Sequence, residues 1–97
     1  MSAIQTKDHL FSIINNVENV DDLYHVCENV IMPVLVHTEG FWIELRYCYK
    51  AAEIADRCVA CLNHWLTTCQ HHKTIQKLSQ LKANMQTIGD KYRILQN

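Results

Sequence analysis

Apolar residues recur along most of this chain at steps of three and four, the spacing of one helical face. From about residue 4 to 17, Leu10, Ile14 and Val17 share a face, with Ile4, Phe11 and Ile13 beside it. The polar run NNVENVDD then interrupts. Within it Asn19 is a good N-cap, and Asp22 falls in the first turn of the next helix, where a carboxylate complements the helix dipole. Leu23, Val26, Cys27, Val30, Ile31 and Val34 form a second stripe. Pro33 lies inside it. Proline lacks the N–H and crowds the carbonyl four residues back, so this helix is expected to kink there or end just before. A strand over residues 33–36 has no evident partner.

A second break is expected at HTEGFW, where Thr38 can cap and Gly40 can take a positive φ. The next 48 residues hold neither glycine nor proline. Phe41, Leu45, Cys48, Ala52, Ala55, Val59, Leu62, Leu66 and Cys69 step by four and three without a fault, a heptad seam. Tyr47, Ala51, Ile54, Cys58, Cys61 and Trp65 run beside it. At 100° per residue the two series cover an arc of roughly 160°, too wide for one neighbour. The pattern predicts one long central helix over about residues 41–70. Around QHHKT the register fails, since its continuation would bury Lys73 and Gln76. Leu78, Leu81, Met85, Ile88, Tyr92 and Leu95 open a new register, so a reversal is expected near residues 70–74. Gly89 weakens the last helix by about 1 kcal/mol relative to alanine, and fraying or bending is expected there.

The fold class that follows is all-α: a three- or four-helix antiparallel bundle, residues 1–97 forming one domain around the long helix. Two glycines and one proline are too few for the frequent reversals of β or α/β folds. An apolar share of 48% with 20% charged residues supports a packed core rather than disorder. The start MSAIQTKDHL does not resemble a secretory leader, and the longest apolar run, VIMPVLV, is far below the ~18 residues of a membrane span. Five cysteines, an odd number at helical core spacing, read as reduced thiols in a cytoplasmic protein. The formal charge of −1 conceals an asymmetry: residues 1–40 carry −5 and residues 71–97 carry +4. Opposite signs suggest that the two ends pack side by side.

The densest candidate chemistry is CVACLNHWLTTCQHH, residues 58–72, with three cysteines and three histidines. Zinc needs four convergent ligands. Cys58 and Cys61 supply a pair at i and i+3, but His64 projects about 60° further round, onto the charged face. His71 or His72 would close a site only if the chain unwound after Thr67. The cluster therefore reads chiefly as packing, and no cofactor is expected. Catalysis has no support either: there is no nucleophile elbow or phosphate-cradling loop, and the adjacent Asp21 and Asp22 diverge on a helix. Nucleic-acid binding through the basic C-terminal helix is an alternative resting on Lys73, Lys77, Lys82, Lys91 and Arg93, but a pI near 6.6 argues against it.

A helix from Phe41 to Cys69 would span roughly 42 Å, against a globule about 32 Å across, leaving apolar seam uncovered. A second chain would cover it. The expectation is a non-enzymatic, self-associating helical interaction module, an adaptor, inhibitor or regulator of a larger protein, that forms a homodimer. Its predicted interface is Phe41, Trp42, Leu45, Tyr49, Trp65 and Leu66, continued on the last helix by Leu78, Leu81, Met85 and Ile88. A zinc-binding bundle is the remaining alternative.

Overall fold

The computed structural model describes residues 3–96, and side chains over residues 5–95. Every regular element among them is helical: α1 (Ala3–Asn15), α2 (Val20–Val26), a π-helical segment (Cys27–Ile31), α3 (Met32–His37), α4 (Glu39–Glu44), α5 (Cys48–Thr68) and α6 (His72–Gln96). The all-α expectation holds. Leu10 and Ile14 of α1 are buried as the first stripe requires; the side chain of Ile4, placed on that stripe, lies outside the described residues.

Asn19 caps α2 as its position predicts, its side-chain oxygen accepting the Asp22 N–H at 2.9 Å. Pro33 neither ends the helix nor leaves room for a strand at residues 33–36. The Met32 N–H reaches back five residues to the Cys27 carbonyl, widening the turn immediately before the proline. Pro33 then stands at the start of α3, where its missing N–H costs nothing. Of the expected stripe Leu23, Cys27 and Ile31 are buried while Val26, Val30 and Val34 are half-buried, and beyond the wide turn Leu35 rather than Val34 takes the next core position.

The long helix expected over 41–70 is divided. α4 ends at Glu44 and α5 begins at Cys48, and the break is a Schellman motif. The Tyr47 N–H donates to the Trp42 carbonyl at 2.9 Å, and the Arg46 N–H to the Ile43 carbonyl at 3.0 Å. That geometry puts a left-handed residue at position 46, and Arg46 takes it with φ of 60°. Gly40, the residue suited to such a turn, lies inside α4 without a positive φ. The break expected at HTEGFW does occur, at Thr38 between α3 and α4, but without a side-chain cap or a left-handed glycine. The second break, at 45–47, carries no glycine to mark it in the sequence.

With α5 shortened to 21 residues, its length is about 30 Å. It lies within a body of 42 × 24 × 18 Å. The overlong rod, and with it the original ground for association, is gone. From Cys48 to Leu62, however, the predicted double series is the core: Cys48, Ala51, Ala52, Ile54, Ala55, Cys58 and Leu62 are buried. α5 touches α1, α4 and α6, as its broad apolar arc requires.

α5 and α6 turn back on each other at residues 69–71, at the start of the expected span of 70–74. Gly89 does not fray α6, which continues to Gln96. It faces Ala55, and a Cβ there would stand 3.3 Å from the Ala55 Cβ. Small residues on both helices allow the backbones to approach closely. α2 and α3 run alongside α6 in the same direction: the Lys77 ammonium lies 5.7 Å from the centre of the Tyr24 ring, and the Tyr92 hydroxyl donates to the Leu35 carbonyl. Of the expected charge pairing between the chain's ends, Lys91–Glu39 at 2.7 Å forms. Lys7–Glu53 and Arg93–Asp56 instead tie each end to α5. All are solvent-screened and contribute at most about 1 kcal/mol apiece.

A left-handed conformation costs a residue with a Cβ about 1–2 kcal/mol that glycine avoids, offset by glycine's greater freedom when unfolded. Arg46→Gly should therefore raise the free energy of unfolding by up to about 1 kcal/mol, read from urea denaturation.

Candidate interaction surface

Around the α3–α4–α5 corner, three buried or half-buried polar groups satisfy one another. Trp42 is fully buried, and its indole N–H donates to the Thr38 hydroxyl at 2.9 Å. Thr38 in turn donates to the Val34 carbonyl at 2.5 Å. The Tyr92 hydroxyl, arriving from α6, is held by the Leu35 carbonyl. Burial, with Glu39 and Cys48 nearby, pushes the Tyr92 phenol well above its ordinary pKa, while the Thr38 hydrogen bond acts in the opposite direction. Phe41 packs edge-on against Trp42, ring centres 5.2 Å apart.

This corner brings together the end of α3, all of α4, the start of α5 and the last turns of α6. It is also where the apolar surface lies. Among the described residues the large hydrophobic side chains exposed to solvent are Val36, Ile43, Leu45, Tyr49, Ile94 and Leu95, from 38% for Leu95 to 73% for Ile94. All six fall at this one end. Ile43 and Leu95 share a recess of about 380 Å³ with Cys48 and Arg46. A monomer's apolar patches are commonly functional when they gather this way.

Charge at the same end is mixed. Lys91 and Arg93 are engaged by Glu39 and by Asp90 with Asp56. Lys50 lies over the Tyr47 ring at 4.6 Å. Glu44 and Arg46, on either side of Leu45, are exposed.

The predicted interface residues divide between surface and interior. Leu45 and Tyr49 are exposed, and Phe41, Trp65, Leu66 and Ile88 are half-buried. Trp42, Leu78, Leu81 and Met85 are buried within the chain and present no surface. Along a straight helix from 41 Trp42 projects outside the apolar arc, but the break at 45–47 invalidates that projection and turns it into the core. The last-helix seam is spent on packing inside the molecule. Val36, Ile43, Ile94 and Leu95 were not singled out. Ile94 falls outside the α6 stripe, the sequence signal that could have found it.

Among the metal candidates, Cys58 is buried, and the neighbouring Cys27 thiol together with burial holds its own thiol well above the ordinary pKa. Cys61 is half-buried, and His64, His71 and His72 are exposed. His64 packs edge-on against Trp65 and His71 lies against Thr74. α5 ends at Thr68 and the chain leaves the helix at residues 69–71, but His71 and His72 are exposed and are not carried back to Cys58 and Cys61. Among the described residues, no three His, Cys, Asp or Glu side chains converge as a metal site. The Cys27–Cys58 contact crosses from the π-helical segment to α5, a pairing that spacing along the chain does not reveal. A second recess, about 310 Å³, lies between the α2 side and α6, lined by Tyr24, Glu28, Met32, Lys77, Gln80 and Asn84. No helix among the described residues is long and apolar enough to cross a membrane. No family model, curated protein or solved structure matches this chain.

Two outcomes are expected of the thiols. In native protein, a soluble disulfide reagent should modify Cys69 and Cys61 first, with Cys27, Cys48 and Cys58 reacting only on unfolding. Burial also raises the Cys48 and Cys61 thiols, and the Cys27 contact together with burial raises Cys58. The folded chain then keeps protons that the unfolded chain releases above about pH 8.5, so these thiols add no pH dependence below that pH and lower stability above it. The slope is about 1.4 kcal/mol per pH unit for each thiol that stays protonated. Urea midpoints between pH 7 and 9.5 measure it, and Cys58→Ala should flatten the decline.

Proposed function

We propose that this chain is a non-enzymatic helical interaction module that self-associates as a homodimer and serves as an adaptor, inhibitor or regulator of a larger protein. The observation that carries this reading is the gathering of Val36, Ile43, Leu45, Tyr49, Ile94 and Leu95 at one end. Burial of apolar surface is the main driving force of protein association. The proposed setting is a reducing, cytoplasmic one, in keeping with five unpaired thiols. Within this reading α5 runs antiparallel to α6 and the bundle's side seams are closed by its own chain, leaving the end for partners.

The alternatives draw less support. The basic residues of α6 are partly committed, Lys91 to Glu39 and Arg93 to Asp56 and Asp90, which lessens what α6 can offer a phosphate backbone. A zinc site lacks convergent ligands among the described residues.

Light scattering across a dilution series tests the reading. The wild-type chain is expected to pass from dimer to monomer as concentration falls. Ile94→Asp, at the most exposed of the six, should give a monomer at concentrations where wild type is dimeric, with an unchanged far-UV circular dichroism spectrum. A wild-type chain that stays monomeric at about 100 μM would remove the self-association claim.

A further inference from the structure

We infer that the partner of the apolar end is the same end of a second copy, joined about a two-fold axis, so that the dimer is an end-to-end rod. This rests on the self-association reading above and adds where the copies meet and in what arrangement.

Area is the first argument. Taken with their fractional exposures, Val36, Ile43, Leu45, Tyr49 and Leu95 present about 400 Å² of largely apolar surface, within the range a monomer commonly displays as its largest patch. With its polar rim, such a patch approaches the ~800 Å² per partner of a standard interface. The flanks offer no comparable surface, because Leu78, Leu81 and Met85 are already buried.

Charge is the second. A two-fold contact sets a patch against itself, so each rim charge meets the charges of an identical rim. A rim of one sign would repel its copy. Here the two exposed charges nearest Leu45 are one acid and one base, Glu44 and Arg46, and neither is ion-paired within the described residues. A two-fold axis near Leu45 lets Glu44 of each copy approach Arg46 of the other. The recess of Ile43, Cys48 and Leu95, with Arg46 on its wall, suits a carboxylate on an aliphatic stem. Glu44 is such a group.

Shape is the third. The 25-residue α6 runs along most of a 42 Å long axis, so its last turn lies at a tip of the body. Copies joined there extend the axis.

Small-angle X-ray scattering with light scattering on the full chain at about 100 μM tests this. The expected result is a dimer with a maximum dimension near 80 Å, about twice the long axis. Glu44→Arg and Arg46→Glu should each weaken dimerisation at least about tenfold, and combining them should restore it. A dimer with a maximum dimension below about 55 Å, or no rescue by the double reversal, would overturn the end-to-end arrangement and leave self-association standing. A monomer would remove both. Loading onto anionic vesicles without dimerisation would assign the patch to a lipid surface and overturn the inference as well.

Discussion

The corner of this molecule depends on two large aromatic residues whose polar atoms must be satisfied away from water. Trp42 and Tyr92 are almost wholly buried. Each carries one donor that would cost about 1–3 kcal/mol if left unpaired. Thr38 answers the indole, and the Leu35 carbonyl answers the phenol. Those two bonds bind the turn between α3 and α4 to the far end of α6. The short helix α4 lies between breaks at Thr38 and at residues 45–47, and at six residues it draws little stability from its own hydrogen bonds. Trp42 holds it in place.

Once that corner is built, the placement of the exposed residues follows. The Schellman turn at Arg46 releases the chain from α4 and sends α5 into the core. Ile43, Leu45 and Tyr49, bracketing the turn, are left outside. α6 finishes against the same corner, because Gly89 and Ala55 bring the two long helices close and Tyr92 docks beneath α3. Its last turn therefore leaves Leu95 beside Ile43, with Ile94 on the outer face of α6. The same packing that closes the side seams leaves apolar groups concentrated at the tip.

The cysteine–histidine run resolves along the same lines. Cys58 behaves as a small apolar residue buried near a second thiol, that of Cys27. The histidines turn outward on α5 or punctuate the reversal into α6. A cluster in sequence is here not a cluster in space.

Periodicity by itself determined a good deal. The helical class, the Asn19 cap, the α5–α6 reversal and the core positions from Cys48 to Leu62 all follow from apolar spacing and capping chemistry, which act within a turn or two of the chain. Tertiary structure decided the rest. The π-helical turn that carries the chain through Pro33, the left-handed Arg46, the close approach at Gly89 and the Cys27–Cys58 contact each depend on groups remote in sequence or on a backbone shape that the residue's own preference disfavours. So does the surface. Heptad spacing reports that a side chain is apolar and which way it projects, but the same seam reads identically whether a neighbouring helix of its own chain or nothing at all lies against it. Leu78 and Leu45 satisfy one rule in sequence; only the fold buries the first and exposes the second.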